Sequence, residues 1–271
     1  MGTTSSEHAL DGFEMTPFRA HGESHDVYRA GNGPAVIVIH EVPGITPLVA
    51  AFGRKVAAAG FTAVMPELFG TAGAEVSVSS ALRSMWHGCV SREFATFATG
   101  KTSAITLYLR ALATYEHGQC GGLGVGAVGM CLTGGFALAM SVDDVMLAPV
   151  LSQPSMPFPV ASSRKRDLGI SDADLAVVKG RAKDGLCVMG YRFTGDKAAP
   201  AERFARLREE LGENFIGVEI DSSETNPWGY RKGAHSVLTE DYSDAEGSPT
   251  RKALEDILEF FATRLKGDEA P

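Results

Sequence analysis

Long apolar runs and targeting segments are both missing from this sequence. No stretch approaches the roughly 18 consecutive apolar residues of a membrane-spanning helix, so a membrane-embedded protein is not expected. The N-terminal residues MGTTSSEHALDGFEM contain no cationic segment followed by an apolar one, which is how a secretory signal begins. We therefore expect a cytoplasmic protein without a membrane partner.

Cysteine is also scarce, and the few cysteines are scattered. The chain has four, at Cys89, Cys120, Cys131 and Cys187, with no CxxC pair and no cluster of Cys and His. A disulfide scaffold and a zinc site both need closer spacing, so neither is expected, and we predict no metal and no organic cofactor. In a reducing compartment a functional thiol would stay available for chemistry.

The sequence has no long run of like charges, and its formal net charge is -8. An acidic chain without a basic segment does not attract nucleic acid, so we expect no nucleic-acid partner and favour a small-molecule substrate. Hydrophobic residues make up 44% of the chain and charged residues 21%, which is typical of a folded globular protein. The composition leaves open whether the protein forms a homo-oligomer.

Short β-branched runs alternate with longer amphipathic segments, which predicts an α/β fold: one domain with a mostly parallel sheet and helices on both faces. We predict this domain over residues 26–267, after an N-terminal extension at 1–25. The polar segment 154–183 is expected to be an insertion over the sheet edge. The predicted strands are 34–40, 61–66, 125–130, 145–151, 186–193 and 215–220, and the predicted helices are 46–59, 77–98, 101–117, 132–140, 199–211 and 251–265.

The most informative segment surrounds Cys131, in Val-Gly-Ala-Val-Gly-Met-Cys-Leu-Thr-Gly-Gly-Phe over residues 125–136. A strand enters, one residue turns sharply and a helix leaves, which is the arrangement of a nucleophile elbow. Small residues at Gly129, Gly134 and Gly135 would let strand and helix approach closely. The helix N-terminus favours negative charge on the sulfur. The alternative is a small buried cysteine at a glycine-rich packing site.

The same segment contains a pattern found in dinucleotide-binding folds, GxGxxG, at Gly124, Gly126 and Gly129. In those folds the glycines follow the strand and open the helix. Here they fall within the predicted strand, and no first βαβ unit begins there. Dinucleotide binding is therefore not expected.

A nucleophilic cysteine needs a base and a group to orient that base, and in α/β-hydrolases the chain order is nucleophile, acid, histidine. His235 is the one histidine downstream of Cys131, and it lies between the last predicted strand and the last predicted helix. Asp196 follows the preceding strand, in Thr-Gly-Asp. The alternatives are a surface histidine and a helix-starting turn residue, but order and location together favour a triad.

Acyl transfer also needs hydrogen-bond donors for the oxyanion that develops on the carbonyl. The backbone N–H of Leu132, directly after the cysteine, is one candidate. The N–H of Val42, after the strand that ends near His40, is the other. Glu41 lies at the same predicted rim of the sheet and is expected to face the crevice, with a plain surface carboxylate as the alternative.

Together, HEVPG at 40–44, GMCLTGG at 129–135, Gly-Asp at 195–196 and GAHS at 233–236 resemble the dienelactone hydrolase family, over roughly residues 30–265. The cysteine elbow with a nearby glutamate supports this resemblance, because most α/β-hydrolases carry serine and no GxSxG occurs here. The resemblance implies an α/β-hydrolase fold, with Glu41 gating the Cys131 thiol, His235 as general base and acid, and Asp196 holding the imidazole.

Three positions depart from the family pattern. Thr133 stands where glycine is usual, and Thr239 stands where an arginine would bind a substrate carboxylate. A second substrate-binding arginine is expected before the elbow, where Arg83 and Arg92 are candidates. These departures indicate a divergent branch and leave dienelactone itself in doubt as a substrate.

We therefore predict hydrolysis of a small ester or lactone by Cys131, Asp196 and His235. A thioesterase or peptidase with the same triad is one alternative, which a panel of esters, thioesters and amides would separate. A non-catalytic lactone-binding protein on this scaffold is the other, and it would bind the ligand without releasing product.

Overall fold

One eight-stranded sheet forms the centre of the molecule. The computed structural model describes residues 8–74, 102–156, 158–159 and 162–266. The sheet order is β1-β2-β4-β3-β5-β6-β7-β8; β1 and β2 pair antiparallel at one edge, and all pairs from β4 to β8 are parallel. The strands are β1 (Glu14–Ala20), β2 (Glu23–Gly31), β3 (Ala35–Ile39), β4 (Thr62–Pro66), β5 (Val125–Met130), β6 (Met146–Ser152), β7 (Val188–Phe193) and β8 (Phe215–Ile220).

Helices cover both faces of this sheet, as the sequence predicts. Helices α1 and α7 pack on one face, and α2, α3, α5 and α6 pack on the other. The helices are α1 (Pro47–Ala58), α2 (Ala104–Cys120), α3 (Gly134–Met140), α4 (Ser162–Lys165), α5 (Asp172–Lys183), α6 (Ala201–Leu211) and α7 (Pro249–Leu265), with 3-10 turns at Cys131–Thr133 and Gly212–Asn214. Within the described ranges, no helix is long and apolar enough to cross a membrane.

The central strands are apolar at every position because both of their faces are covered. In β3, Val36 and Val38 join the cluster under α1 and α7, while Ile37 and Ile39 join the cluster on the opposite face. All four side chains are fully buried. Such continuous apolar runs are typical of strands in a parallel sheet between two helix layers, which is why β3 and β5 could be predicted from the sequence.

Two strands of the sheet lie at the predicted N-terminal boundary. Residues 1–25 were expected to be an extension, but β1 begins at Glu14 and the boundary at residue 26 falls inside β2. These two strands form the exposed edge of the sheet, and most of their side chains are partly or fully exposed. Their polar composition therefore lacks the apolar run that identifies a buried strand.

The described part of the segment 154–183 contributes to the helix layer on one face of the sheet. It connects the neighbouring parallel strands β6 and β7, and its helix α5 packs against α6 in the layer that covers the sheet. Its polar composition reflects a helix with only a narrow buried side, formed by Leu175, Val178 and Ala182. The predicted helix 77–98 lies outside the described residues.

Candidate active site

The predicted site residues that the structure describes lie at one edge of the sheet, where five parallel strands end. Glu41 follows β3 and Cys131 follows β5 directly. Ser155 follows β6, Asp196 follows β7, and His235 lies in the loop between β8 and α7. The carboxyl ends of parallel strands share one edge, so residues far apart in the chain meet in one crevice.

Cys131 occupies the sharp turn between β5 and the helix that follows. Its φ angle is +56°, in the left-handed region that non-glycine residues seldom adopt. The close approach around this turn requires Gly129, since a Cβ atom there would lie 2.4 Å from the carbonyl oxygen of Thr133. The Cys131 side chain remains partly exposed. The local geometry is therefore that of a nucleophile elbow.

Thr133 stands where glycine is usual, and the turn accommodates its larger side chain through hydrogen bonds. Its side chain is fully buried, and its hydroxyl accepts a hydrogen bond from the Met130 N–H at 3.0 Å. The same hydroxyl lies 2.8 Å from the carbonyl oxygen of Ile39, to which it can donate. Thr133 thus joins the elbow to the end of β3, the strand that leads to Glu41.

His235 and Asp196 are in direct polar contact. The Nδ1 atom of His235 lies 2.6 Å from Oδ2 of Asp196. The second carboxylate oxygen, Oδ1, accepts hydrogen bonds from the N–H groups of Ala198 at 2.8 Å and Ala199 at 3.2 Å. Asp196 is buried, and both of its carboxylate oxygens are hydrogen-bonded. These bonds fix the orientation of the carboxylate toward the imidazole.

The loop that carries Asp196 is packed directly on the loop that carries His235. A Cβ atom on Gly195 would lie only 2.1 Å from the carbonyl oxygen of Lys232, so this contact requires glycine. In β7, before this loop, the buried guanidinium of Arg192 donates to the carbonyl oxygens of Thr194 at 3.1 Å and Asp196 at 3.2 Å. Both contacts fix the distance between the acid and the histidine.

The histidine loop has its own anchor in Asp241. One carboxylate oxygen of Asp241 accepts the backbone N–H groups of His235 at 2.7 Å and Ser236 at 3.1 Å. Arg231 pairs with the same carboxylate at 3.0 Å. Burial alone would raise the pKa of Asp241, but the hydrogen bonds from Arg231 and from these amides lower it below its usual value. The Asp241 carboxylate thus holds the backbone of the His235 loop, which has no regular secondary structure.

The free edge of the imidazole faces Cys131 and Ser155. The Ser155 hydroxyl lies 3.4 Å from Nε2 of His235 and 3.7 Å from the Cys131 sulfur. Burial lowers the pKa of His235, but hydrogen bonds to Asp196 and to the Cys131 sulfur raise it more, to about 10. An imidazole in this setting can accept a proton from the thiol and hold it.

Glu41 lies in the same region but contacts the histidine loop. Its carboxylate accepts hydrogen bonds from Ser236 at 2.8 Å, from the Thr239 hydroxyl and from Gln153 at 3.4 Å. Burial raises its pKa, while the bonds from Thr239 and Ser236 and the nearby His235 lower it in part. Among the described residues, none of these hydrogen bonds reaches the Cys131 sulfur. Its gating role stays a prediction from the resemblance.

Thr239, which departs from the family pattern at this position, has a structural role. Its side chain is buried and its hydroxyl bonds Glu41, so it supports the histidine loop from inside the protein. The candidate substrate-binding residues Arg83 and Arg92 lie outside the described residues, and their role stays a prediction.

The two candidate oxyanion donors lie in the segments that follow β3 and β5. Leu132 is in the first turn of the helix after the elbow, where backbone N–H groups have no partner within the helix. Val42 lies in the loop after β3, the strand that pairs with β5 as far as Ile39 and Gly129. The loops that carry both amides thus start from adjacent strands.

Several residues that build the site were missed by the sequence interpretation. Four of these residues support the reacting groups without belonging to a recognisable motif: Gln153, Ser155, Arg192 and Asp241. Ser236 belongs to the GAHS segment, but its bond to Glu41 was not predicted. Position relative to a strand end was the available signal for Ser155, since the predicted strand 145–151 should also end at the catalytic edge. Among the described residues, no cluster of three or more His, Cys, Asp or Glu could hold a metal ion.

The parallel sheet, the elbow at Cys131 and the order of the site residues define an α/β-hydrolase-like protein. The profile of the dienelactone hydrolase family matches residues 22–166, more than half of the chain. The chain belongs to this family. No curated protein matches it in sequence.

Solved structures agree with this fold. A protein from Klebsiella pneumoniae, described as a putative dienelactone hydrolase, superposes with a TM-score of 0.61 at 16% identity, covering 93% of this chain and 98% of its own. Dienelactone hydrolase from Anabaena variabilis gives a TM-score of 0.60 at 14% identity, covering 94% and 98%. A promiscuous phosphotriesterase from metagenomic libraries, described as dienelactone hydrolase-like, gives 0.61 at 16%, covering 93% and 98%. At these identities the likeness concerns the fold.

Proposed function

We propose that this hydrolase-family protein cleaves a small carboxylic ester or lactone through a triad of Cys131, His235 and Asp196. The observation that carries the proposal is the 2.6 Å contact between His235 Nδ1 and Asp196 Oδ2, which leaves Nε2 facing the partly exposed sulfur at the elbow. A nucleophile, its base and the group that orients the base are the three parts that covalent acyl transfer requires.

The first half of the reaction forms a thioester. The Cys131 thiol gives its proton to Nε2 of His235, and the sulfur attacks the carbonyl carbon. The N–H groups of Leu132 and Val42 donate to the resulting oxyanion. The tetrahedral intermediate then breaks its C–O bond, and His235 returns the proton to the leaving alkoxide. In a lactone, the released alcohol stays attached to the acyl group.

The second half releases the acid. A water molecule gives a proton to His235 as its oxygen attacks the thioester carbonyl. The second tetrahedral intermediate expels the Cys131 thiolate, which recovers a proton from the imidazolium. Asp196 remains ionised throughout and keeps the productive tautomer of the ring. The products are a carboxylic acid and an alcohol, and the enzyme returns to its starting state.

The direct test compares Cys131→Ala with wild type on p-nitrophenyl acetate and on dihydrocoumarin, a simple aromatic lactone. We expect kcat to fall by about 10⁴-fold or more, because the residues of a triad act as a unit. Cys120→Ala is the matched control, because Cys120 is also a partly exposed free thiol but lies at the end of α2. Wild-type turnover by Cys131→Ala would overturn the proposal.

Two further measurements separate the alternative activities. Acid quenching during turnover of the acetate ester should leave an added acetyl mass on the peptide that contains Cys131, and none on the Cys120 peptide. Turnover of matched acetyl thioesters and amides then ranks the leaving groups. Binding of the lactone without product release would instead indicate a ligand-binding protein.

A further inference from the structure

The hydroxyl of Ser155 stands between the two reacting groups of the site. Its Oγ lies 3.7 Å from the Cys131 sulfur and 3.4 Å from Nε2 of His235. It is also 3.1 Å from the carbonyl oxygen of Gln153, which can only accept a hydrogen bond. The hydroxyl has one hydrogen and can accept from other groups, so the protonation states of Cys131 and His235 decide which bonds it makes.

The chain holds Ser155 in this place through a strained and well-anchored turn. Gln153 has a φ angle of +37°, unusual for a non-glycine residue, and its N–H donates to the Tyr191 carbonyl at 2.7 Å. The Ser155 N–H donates to the carbonyl oxygen of Cys131 at 2.9 Å. Residues in such backbone conformations persist only where the surroundings determine them, and they concentrate at functional sites.

Pro154, between these two residues, is fixed from two sides. Arg203 donates to its carbonyl oxygen at 2.6 Å from a fully buried guanidinium. A Cβ atom on Gly134 would lie 2.6 Å from its Cα, so the helix after the elbow packs directly on this turn. Contacts from helix α6, through Arg203, and from the start of α3, at Gly134, therefore hold the turn that carries Ser155.

Burial distinguishes Ser155 from the nucleophile. Ser155 is only 1% exposed, whereas Cys131 is partly exposed to the crevice. A substrate carbonyl can reach the sulfur but not the serine oxygen without movement of the turn. Ser155 is thus suited to act on Cys131 and His235, and not on the substrate.

We propose that Ser155 is a positioning residue that stabilises the thiolate–imidazolium pair of Cys131 and His235. This inference rests on the proposed function. When the thiol proton has moved to Nε2, the Ser155 hydroxyl donates to the sulfur and can accept from the new Nε2–H. When both groups are neutral, its hydrogen goes to the Gln153 carbonyl or to Nε2. The hydroxyl favours the charged state, because hydrogen bonds to ions are stronger than those between neutral groups.

The test measures the rate at which iodoacetamide alkylates Cys131 from pH 5 to 10, read by mass spectrometry of the Cys131 peptide. In Ser155→Ala we expect the curve to move to higher pH by about one unit, with roughly tenfold slower alkylation near neutral pH. Ser155→Thr retains a hydroxyl and should return the curve toward wild type. The charged groups that face the pair are unchanged in both variants: Asp196 and Glu41 near the imidazole, and Asp241 beneath its loop.

Ser141→Ala is the matched control. Ser141 is fully buried, and its hydroxyl donates to a backbone carbonyl, that of Ala137, at the end of α3 and away from the sulfur. Its alkylation curve should equal that of wild type. If Ser155→Ala does not fold, the isosteric pair Ser155→Thr and Ser155→Val makes the same comparison, and only Val should shift the curve.

Unchanged alkylation curves in the folded variants without the hydroxyl would overturn this inference. That result would leave the triad intact, because alkylation reports the thiol without requiring turnover. Failure of the triad has a different signature, in which Cys131→Ala hydrolyses the esters at the wild-type rate. The two experiments therefore separate a wrong role for Ser155 from a wrong function.

Discussion

The Nδ1 atom of His235 lies 2.6 Å from the Oδ2 atom of Asp196, although 39 positions separate these residues in the chain. Two loops from the carboxyl ends of β7 and β8 are packed together to make this contact, with Gly195 at their closest approach. Because the carboxylate occupies one nitrogen of the imidazole, the other is presented to Cys131. The chemistry of the site depends on this orientation.

Replacing Asp196 with Asn should impair catalysis with little change in shape. The amide nitrogen would donate to Nδ1 and leave the proton on Nε2, so the ring could not accept the thiol proton. We expect kcat to fall by roughly 10³- to 10⁴-fold. The pKa of His235, about 10 in the wild type, should fall once the Asp196 hydrogen bond is lost, which an NMR titration of the ring can follow. Near wild-type kcat in Asp196→Asn would contradict the assigned role.

Replacing Gly195 with Ala should separate the acid from the histidine. The added Cβ would lie 2.1 Å from the carbonyl oxygen of Lys232, so the two loops must move apart. We expect a loss of about 1–3 kcal/mol in the free energy of unfolding from overpacking, and a fall in kcat of about 10²-fold from misplacement. The measurements are urea denaturation and ester turnover.

Gly233→Ala is the control for this change, because a Cβ on Gly233 meets nothing within 4 Å although it lies two residues before His235. It should leave kcat and the free energy of unfolding close to wild type. Equal effects of the two substitutions would mean that the contact at Gly195 does not set the triad distance.

His40 should make the protein less stable in acid. Its ring is buried, with Nδ1 at 3.0 Å from the Glu41 carbonyl and Nε2 accepting the Leu68 N–H at 3.1 Å. Burial lowers its pKa from 6.5 to about 4. Between pH 6.5 and 4, the unfolded chain therefore binds a proton that the folded chain does not. This difference removes roughly 3 kcal/mol of the free energy of unfolding as the pH falls through that range.

Urea denaturation at several pH values tests this expectation. His40→Asn should have a shallower fall in stability between pH 6.5 and 4 than wild type, since Asn does not titrate. His8→Asn is the control, because the side chain of His8 is 71% exposed. Parallel pH profiles for wild type and His40→Asn would show that residue 40 does not bind the proton.

Glu41 should respond differently to loss of its charge and to loss of its side chain. Burial raises its pKa, so ionisation favours the unfolded chain and stability falls as the pH rises above 4.5. Glu41→Gln cannot ionise and should be at least as stable as wild type at pH 7, with a flatter pH profile. Glu41→Ala leaves Ser236 and Thr239 without their acceptor and should lose about 2–4 kcal/mol. Equal thermal stability of the Gln and Ala variants would contradict this view of the buried cluster.

The central fold could be predicted because its local patterns and its tertiary packing agree. Buried parallel strands such as β5 are continuous apolar runs, and helix α3 begins at Gly134, where the glycines allow close packing. The edge strands β1 and β2 carry no such pattern, since most of their side chains face solvent and their place in the sheet comes from pairing with each other and with β4. Pairing between strands leaves little trace in the sequence of an exposed edge.

By itself, the sequence determined the order of the strands β3 to β8 with five of the helices around them, the sharp turn at Cys131 and the presence of an acid and a histidine after the last two strands. Only the tertiary structure decided that Glu41 binds Ser236 and Thr239, that Asp241 and Arg192 hold the two loops, and that the Ser155 hydroxyl stands beside the sulfur. The physical reason is the separation along the chain over which each kind of interaction acts. Turn geometry and apolar periodicity act between near neighbours in the chain, whereas these hydrogen bonds depend on which strand ends the sheet brings side by side.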